Sequence, residues 1–443
     1  MTQAFVSNRV VTPAGVRPAA VIVEQGRIQA VREPADLPHG AVLHAFGDLA
    51  ILPGLVDSHV HINEPGRTEW EGFATATRAA AAGGYTTLVD MPLNCLPETT
   101  TVAALEEKRQ AAAGQCRVDW AAWGGLTDHN HEHIAALAAA GVAGYKCFLV
   151  DPGIVPGLAM IGPQQLEAAA PALARTGLPL LVHAELAEYL YTGGDGDDWQ
   201  QYATYLRSRP DEAELAAIRM LIGLCRKYLF RLHIVHLATA LALEDLAQAR
   251  AEGLPITVET CPHYLHFVAE EIPDGATLFK CAPPIRARAN RDALWQGLRD
   301  GIIDLIATDH SPCPPAMKQG NFRQSWGGIA SLSVAVSVIW TEMLQRGLPL
   351  EDLVRWMSTN PATLAGMQKH KGAIAAGYDA DLVIFDPEAE LTLNTEDLHY
   401  RHPVSPYLGE KLQGKVQASF VRGRAVYEQG SFSEPPIGKE LKI

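Results

Sequence analysis

The chain has little of what marks secreted, membrane-spanning or nucleic-acid-binding proteins. Its 443 residues include only seven cysteines, which are scattered and form no CxxC pair, and this favours a reducing cytoplasm over a disulfide framework. No apolar run reaches the roughly 18 residues of a membrane span, and the first residues lack the basic-then-apolar layout of a signal peptide. A formal net charge of −14 argues against nucleic acid or an anionic membrane as a partner. A cytoplasmic protein that acts on a small molecule is therefore expected.

Eight strand-like apolar runs alternate with Ala- and Leu-rich helical stretches through the middle of the chain. The runs are Leu52–His61, Tyr85–Met91, Arg117–Gly125, Val142–Leu149, Pro179–His183, Arg231–Leu237, Pro255–Cys261 and Ile302–Asp309. This alternation is typical of an α/β fold, the (β/α)8 TIM barrel. An open doubly wound sheet would usually carry a Gly-rich phosphate loop after its first strand, and none follows here.

The two ends of the chain have a different pattern, with short strands and turns. Val21–Val31 is typical of a hairpin around Gln25-Gly26, and similar patterns return after about residue 372, as in Asp381–Phe385. The two ends are therefore predicted to form one small β-sandwich domain, residues 1–50 and 373–443, beside a barrel of residues 51–372.

Polar residues stand at the C-terminal ends of five of the eight runs. His59 and His61 are two residues apart, and residues i and i+2 of a strand point to the same side. The other candidates at strand ends are Lys146, His183, His236 and Asp309. The C-terminal ends of barrel strands converge on one mouth, where four imidazoles and a carboxylate suit one or two divalent ions of the zinc type.

Lys146 lies in an apolar run, and burying its amine is costly unless the amine loses its charge. A neutral amine can take up carbon dioxide and become a carbamate, an anion whose two oxygens suit the bridging of two cations. Two divalent ions against one carbamate, Asp309 and a hydroxide leave about one net positive charge, which is a workable Lewis-acid site. We therefore predict that Lys146 is carboxylated on its side-chain nitrogen.

Other polar clusters are interpreted as structural. Asp128 is predicted to cap a helix, which leaves the histidines from there to His133 solvated. His233 lies three residues before His236 and therefore on the other face of its strand. The acidic loop Gly193–Asp198 lacks the Glu that a calcium-binding loop requires.

Several longer motifs carry a resemblance to a known family. They are His59–Arg67, Asp90–Asn94, Lys146–Phe148, Cys261–Tyr264, Asp309–Pro315, Trp326–Ile329 and Arg401–Tyr407. With them the chain resembles the cyclic amidases of the amidohydrolase superfamily (dihydroorotases, hydantoinases and allantoinases) over nearly its whole length. The resemblance implies a small-molecule substrate and a homo-oligomer, either a tetramer or a dimer. It also implies six metal ligands: His59, His61, carboxylated Lys146, His183, His236 and Asp309.

Two departures distinguish among these cyclic amidases. Dihydroorotases of this type carry an arginine two residues after the second histidine, where this chain has the neutral Asn63. Loss of that bidentate clamp would weaken binding of an anionic substrate by roughly a few kcal/mol. Hydantoinases typically have a tyrosine in the loop after the lysine strand, and Leu149–Gly157 has none. Both features favour the allantoinases, with a hydantoinase or a non-catalytic assembly relative as the alternatives.

The reaction that this resemblance implies is the hydrolytic opening of the allantoin ring to allantoate, a step of purine catabolism. Two divalent ions, with zinc as the expected metal, would lower the pKa of a bridging water to near neutral, and carbon dioxide would supply the carbamate. Asp309 would take the proton of the attacking hydroxide and hand it to the departing ring nitrogen. Asn94 and His263 are the candidate substrate contacts, with a turn residue and a ring that supports a ligand as their alternative roles.

Overall fold

The computed structural model describes residues 2–151 and 158–443, and these residues contain 18 β-strands and 12 α-helices. The strands are β1 (Gln3–Thr12), β2 (Gly15–Glu24), β3 (Arg27–Arg32), β4 (Val42–Ala45), β5 (Ala50–Pro53), β6 (Leu55–Val60), β7 (Tyr85–Asp90), β8 (Asp119–Ala122), β9 (Gly124–Gly125), β10 (Tyr145–Phe148), β11 (Leu180–His183), β12 (Leu232–Ile234), β13 (Ile256–Thr260), β14 (Leu305–Ile306), β15 (Leu382–Thr392), β16 (Lys411–Val421), β17 (Arg424–Glu428) and β18 (Ser431–Phe432). The helices are α1 (Phe73–Ala82), α2 (Val102–Ala112), α3 (Ile134–Ala140), α4 (Pro163–Thr176), α5 (Tyr202–Ser208), α6 (Asp211–Tyr228), α7 (Leu243–Ala251), α8 (Pro262–His266), α9 (Arg288–Arg299), α10 (Ala335–Gln345), α11 (Leu350–Val354) and α12 (Asn360–Leu364).

Strands β6 to β14 form the predicted (β/α)8 barrel, and the fold class is thereby confirmed. Neighbouring strands run parallel, with β6, β7 and β8 in one arc and β9 to β14 in the other. A parallel bridge between Val60 and His310 joins the arcs on one side. On the other side the Ala143 amide donates to the Ala122 carbonyl at 2.9 Å. Each predicted run supplies one barrel strand, except that Trp123 divides the third run into β8 and β9.

The barrel strands are buried on both faces, which explains why they are continuous apolar runs rather than alternating patterns. Every residue of β6, β7 and β8 is buried. Packing at the strand starts is tight enough to require glycine at position 144, because a Cβ on Gly144 would lie 2.4 Å from the Pro179 carbonyl oxygen. No helix within the described ranges is long and apolar enough to cross a membrane.

The two ends of the chain share one nine-stranded sheet. Its order is β18-β17-β16-β15-β5-β1-β2-β3, with β4 paired to β1. Phe5 in β1 and Phe420 in β16 are three strands apart in this order, which is roughly 14 Å in a flat sheet at about 4.8 Å per strand. Their ring centroids are only 5.0 Å apart. The sheet therefore folds over on itself, and its two halves enclose a common apolar core with the geometry of the predicted sandwich.

A buried ion cluster joins this sheet to the start of the barrel. The Lys371 Nζ lies 2.7 Å from Asp119, 3.1 Å from Asp379 and 2.5 Å from Asp381. Asp119 begins β8, whereas Asp381 immediately precedes β15, so the cluster spans both parts of the fold. Arg422 supplies a second cation to Asp119, which reduces the excess of negative charge that burial makes costly.

The final segment of the chain lies against the barrel wall. The Trp120 amide donates to the Lys439 carbonyl at 3.0 Å, and the Leu441 amide donates to the Trp120 carbonyl at 2.7 Å. The segment thus adds a short length of parallel pairing beside the first residues of β8.

Candidate metal centre

One cleft at the C-terminal ends of the barrel strands contains every side chain that the sequence predicts as a metal ligand. The cleft has a volume of about 550 Å³. The predicted ligands that line it are His59, His61, Lys146, His183, His236 and Asp309. They come from five different strands or from the residues just after them, so the barrel closure itself brings them together.

Asp309 stands between the two histidines at the end of β6. Its Oδ1 lies 3.3 Å from His59 Nε2 and 3.1 Å from His61 Nε2. Burial would raise the pKa of this carboxyl, but the two histidines outweigh burial and hold its pKa below the usual range. Burial also lowers the pKa of His61. The pair therefore combines an ionised carboxylate with a neutral imidazole, the protonation state that metal binding requires.

His183 and His236 form a second pair, and the centroid of the His236 ring lies 5.5 Å from that of His59. The His183 Nδ1 lies 3.0 Å from the His236 Nε2. Burial lowers the pKa of both rings. Two ring nitrogens this close can share a proton or a cation, and the lowered pKa values favour the neutral rings that act as metal ligands.

Lys146 in β10 is fully buried, and its Nζ has no hydrogen-bond partner among the described residues. The Nζ lies 4.7 Å from the centre of the Phe148 ring. Burial lowers the pKa of Lys146 to about 8, although nearby carboxylates oppose the shift. The charge of Lys146 in turn lowers the pKa of His183 and His236, so the amine is close to the second pair. An orphaned and partly neutral amine of this kind fits the predicted carbamate.

Glu259 is a buried carboxylate behind the cleft that no pattern in the sequence indicated. One of its oxygens lies 2.5 Å from His59 Nδ1 and the other 3.0 Å from His233 Nε2. His233 in turn contacts the Thr257 hydroxyl at 2.8 Å through Nδ1. By accepting from the Nδ1 of His59, Glu259 orients the ring so that its Nε2 faces the cleft. His233 lies off the ligand side, as its spacing predicts, and its contact with Glu259 makes it part of this support.

Glu185 supports the second pair in the same way. Its Oε2 lies 2.6 Å from His183 Nε2, and its Oε1 accepts from Arg209 Nε at 3.1 Å. Burial would raise the pKa of Glu185, but Arg209 and His183 hold it below the usual range. The spacing of two residues after His183 was a usable signal for Glu185, whereas Glu259 was only a lone acid in an apolar run.

Four polar residues around the cleft have left-handed backbone conformations, which residues other than glycine rarely adopt. Their φ angles are 65° for Asn63, 61° for Asn94, 38° for His236 and 46° for Asp309. Such conformations are costly and cluster at functional sites. Two of the four are predicted ligands, so the surrounding fold imposes strain where the ligands are presented.

The two candidate substrate contacts have different positions. Asn94 lines the cleft, and its Nδ2 lies 3.4 Å from His61 Nδ1. His263 is not among the cleft-lining residues, and its ring packs against Tyr264 with centroids 4.2 Å apart. Both ring nitrogens of His263 lack hydrogen-bond partners within the described part of the chain, and burial lowers its pKa to about 4. Asn94 therefore lies in the wall of the cleft, whereas His263 lies outside the cleft lining but close enough to Asp309 and His59 for their charges to interact.

The structure also places Asp128, Asn63 and part of the loop after β10. The predicted helix cap at Asp128 is wrong, because its Oδ1 accepts from the Gly162 amide at 2.9 Å, far along the chain from the turn at His131. Asn63 is buried and donates to the Pro312 carbonyl at 3.4 Å. The loop after β10, where hydantoinases typically have a tyrosine, includes residues 152–157, which lie outside the described residues.

The converged donor set has the chemistry of a divalent metal centre. The ligand atoms of His59, His61 and Asp309 lie within 4.8 Å of one another. Imidazole nitrogen and carboxylate oxygen are the ligands that zinc and similar divalent ions prefer. The second histidine pair and the orphaned Lys146 extend this donor set across the cleft.

Comparison with known protein families agrees with this assignment. The sequence model of the amidohydrolase family matches residues 50–426, which include every barrel strand and every candidate ligand. The chain belongs to the amidohydrolase family.

This amidohydrolase is similar over nearly its full length to proteins named allantoinase. It is 48% identical to the allantoinase of Streptomyces avermitilis, in an alignment that covers 97% of this chain and 96% of that protein. It is 42% identical to the allantoinase of Arabidopsis thaliana, with 98% and 89% covered. It is 41% identical to the allantoinase of Saccharomyces cerevisiae, with 99% and 98% covered.

Solved structures of hydantoinases share the whole fold of this amidohydrolase. The L-hydantoinase (dihydropyrimidinase) of Arthrobacter aurescens matches it with a TM-score of 0.92 at 28% identity, and 100% of both chains is covered. The dihydropyrimidinase of Brevibacillus agri matches with a TM-score of 0.90 at 27% identity, covering 100% of this chain and 98% of that one. The match therefore covers both the barrel and the sheet formed by the two ends of the chain, here called the end-built sheet.

Proposed function

We propose that this amidohydrolase opens the ring of allantoin by hydrolysis to give allantoate. The observation that carries the proposal is the convergence of four histidines, Asp309 and an orphaned buried Lys146 on one cleft. Such a donor set suits hydrolysis of a cyclic amide assisted by metal ions. The choice of allantoin rests on the similarity to proteins named allantoinase and on the neutral Asn63, which offers no clamp for an anionic ring.

Two divalent ions, with zinc as the expected metal, would be held by the six predicted ligands. These are His59, His61, His183, His236, Asp309 and the carbamate of Lys146. When bound, the ions would lower the pKa of a coordinated water and polarise the amide carbonyl. Because burial lowers the pKa of Lys146 to about 8, part of the amine is neutral near neutral pH and competent to take up carbon dioxide.

The chain's own groups supply proton transfer and orientation. Asp309 is ionised at neutral pH, because the histidines hold its pKa below the usual range. We assign it the role of taking the proton of the attacking water and giving it to the departing ring nitrogen. Asn94 lines the cleft and is the proposed amide contact for the ring. His263, buried with two unpaired nitrogens, is proposed to reach the substrate through a water.

The deciding experiment compares initial rates on allantoin, hydantoin, dihydrouracil and dihydroorotate. Metal-reconstituted wild-type protein should turn over allantoin in preference to the other three. Lys146→Ala should lose activity by at least about a hundredfold, because the shared anionic ligand is missing, and a short carboxylic acid should restore part of it. The exposed Lys369 offers a matched control, and Lys369→Ala should behave as wild type. Turnover of hydantoin or dihydrouracil but not allantoin would contradict the proposal.

A second candidate is ring opening of other cyclic ureides. The match of the entire fold to hydantoinases favours it, and the same four-substrate comparison separates it from the first.

Two further proposals concern the setting of the protein. All seven cysteines are free and buried in the structure, which supports a reducing cytoplasm as the compartment. A dimer or tetramer is proposed from the family resemblance alone. Light scattering after size-exclusion chromatography measures the oligomeric state directly, and a monomer at micromolar concentration would contradict it.

A further inference from the structure

A second, larger cavity adjoins the metal cleft. Its volume is about 1010 Å³, against about 550 Å³ for the cleft. The two share four lining residues, Arg209, Ala282, Trp326 and Gly327. The cleft contains the predicted metal ligands, so a ring bound there lies beside the second cavity. The second cavity, here called the outer basin, is therefore available to whatever the ring carries.

The wall of the outer basin combines aromatic rings with cations. Its rings are those of Tyr191, Trp199, Tyr205, Phe322 and Trp326, its cations are Arg209, Lys280 and Arg323, and none of its described lining residues is acidic. Planar conjugated groups stack well on aromatic rings and on guanidinium planes. The basin is therefore built to take a flat group rather than a bulky aliphatic one.

The three cations are partly engaged by the protein. Arg209 binds Glu185 through Nε and Nη2, which leaves its Nη1 for a ligand. The Lys280 Nζ donates to the Ser325 carbonyl at 2.6 Å. The Arg323 guanidinium lies 5.4 Å from the centre of the Trp199 ring. Arg209 is neutralised by Glu185, and burial together with the nearby cations lowers the pKa of Lys280 to about 7. Two of the three groups can therefore act as hydrogen-bond donors to the carbonyl of an uncharged planar group.

We propose that the outer basin binds the ureido tail of the substrate, and that Trp326 is the residue that makes the site specific for a ring with this tail. The inference rests on the proposed function, because the planar, uncharged ureido group is what distinguishes allantoin from hydantoin. Trp326 lines both cavities and is 8% exposed. Its ring is fixed by an edge contact with Trp70, with centroids 5.0 Å apart. Trp326 is therefore a rigid aromatic surface where the cleft, which would hold the ring, meets the outer basin, which would hold the tail.

Gly327 provides an independent way to test the passage. A Cβ on Gly327 would lie 3.9 Å from Lys280 Cε and 4.0 Å from Ala282 Cβ, which is ordinary van der Waals contact, and its φ is not left-handed. Both of these neighbours line the outer basin. Ala282 also lines the cleft, so Gly327→Val should fold and narrow the junction between the two cavities.

The test uses metal-loaded, full-length protein and two readouts. The first is kcat/KM for allantoin, and the second is the inhibition constant of unsubstituted hydantoin, a probe of the ring site alone. Trp326→Leu and Gly327→Val should each lower kcat/KM by about tenfold, the worth of roughly one stacking contact. The inhibition constant of hydantoin should change by less than about threefold. Trp326→Phe should recover most of the loss, and Tyr189→Ala, which is 43% exposed and lines neither cavity, should act as wild type.

Four results would overturn the inference. Unchanged allantoin kinetics in both variants would mean that the tail does not enter the basin, while wild-type turnover of allantoin would leave the proposed function standing. A parallel loss of hydantoin affinity would assign Trp326 to the ring site instead. Tighter inhibition by hydantoin-5-acetic acid than by hydantoin would identify the basin as an anion site. Wild-type protein that leaves allantoin intact would overturn the proposed function and this inference together.

Discussion

His266 should make the stability of the protein depend on pH well above neutrality. It ends α8, and its Nδ1 lies 2.9 Å from Glu342 in α10. Its Nε2 lies 3.9 Å from Glu410, just before β16. Burial would lower the pKa of His266, but the two carboxylates outweigh burial and raise it to about 9 from an ordinary value of 6.5. The charged ring therefore links a barrel helix to the end-built sheet.

The magnitude follows from the difference between the folded and unfolded pKa values. A rise from 6.5 to about 9, at about 1.4 kcal/mol per unit, is worth about 3 kcal/mol. Partial screening reduces this to about 2 kcal/mol, since Glu410 is 41% exposed, although His266 is only 13% exposed. Because the folded pKa is the higher one, the stabilisation is complete below about pH 6.5 and is lost as the pH rises through about 9.

The assay is thermal unfolding of wild type and His266→Gln at about pH 6 and about pH 9.5. The Tm gap between the two proteins should shrink by roughly 2 °C between these pH values, because the unfolding entropy of a chain of this length is about 0.9 kcal/mol per degree. Glutamine keeps a hydrogen-bond donor near Glu342 but cannot take up a proton. The change of the Tm gap with pH therefore measures the titration of His266 alone. His129→Gln, which removes an exposed histidine, is the matched control. A gap for His266→Gln that is the same at both pH values would refute the reasoning.

Three other predictions follow from contacts and packing. In Glu259→Gln the side chain cannot accept hydrogen bonds from both His59 and His233, so the affinity for zinc should fall by about 10–100-fold. Equilibrium dialysis measures this affinity, and circular dichroism is the control for folding. An unchanged affinity would contradict the supporting role of Glu259. Gly144→Ala should destabilise the protein by about 2 kcal/mol or more, because the obstructing Pro179 carbonyl belongs to the backbone. Gly223→Ala should raise stability by about 1 kcal/mol, because a Cβ there meets nothing within 4 Å in the helix α6. Equal Tm shifts for the two glycine variants in scanning fluorimetry would argue against this packing.

The barrel was predictable because its signals are local. A strand buried on both faces must be apolar along its whole length, and the eight runs therefore stand out against the helical stretches. Residues i and i+2 share a side of a strand, so His59 and His61 could be paired, and His233 separated from His236, from spacing alone. The C-terminal ends of the strands meet at one mouth in this fold, which assigns Lys146 and Asp309 to the same place.

Contacts between distant segments were not predictable in this way. Glu259 supports His59 from 200 residues away, and its partner is decided by the stagger between β6 and β13. Asp128 appeared to be a helix cap because that pattern is local, but its partner Gly162 lies 34 residues further along the chain. The outer basin likewise depends on how the segments around residues 191, 280 and 326 pack against one another.

The sequence by itself determined the strand and helix pattern, the pairing of both chain ends and the set of candidate ligands, because periodicity, burial and strand ends are properties of short segments. Only the tertiary structure decided which carboxylate orients each histidine, how the sheet folds over Phe5 and Phe420, and where a substrate tail has room. Those features depend on strand stagger and side-chain packing across the whole barrel, and neither is encoded in any one segment.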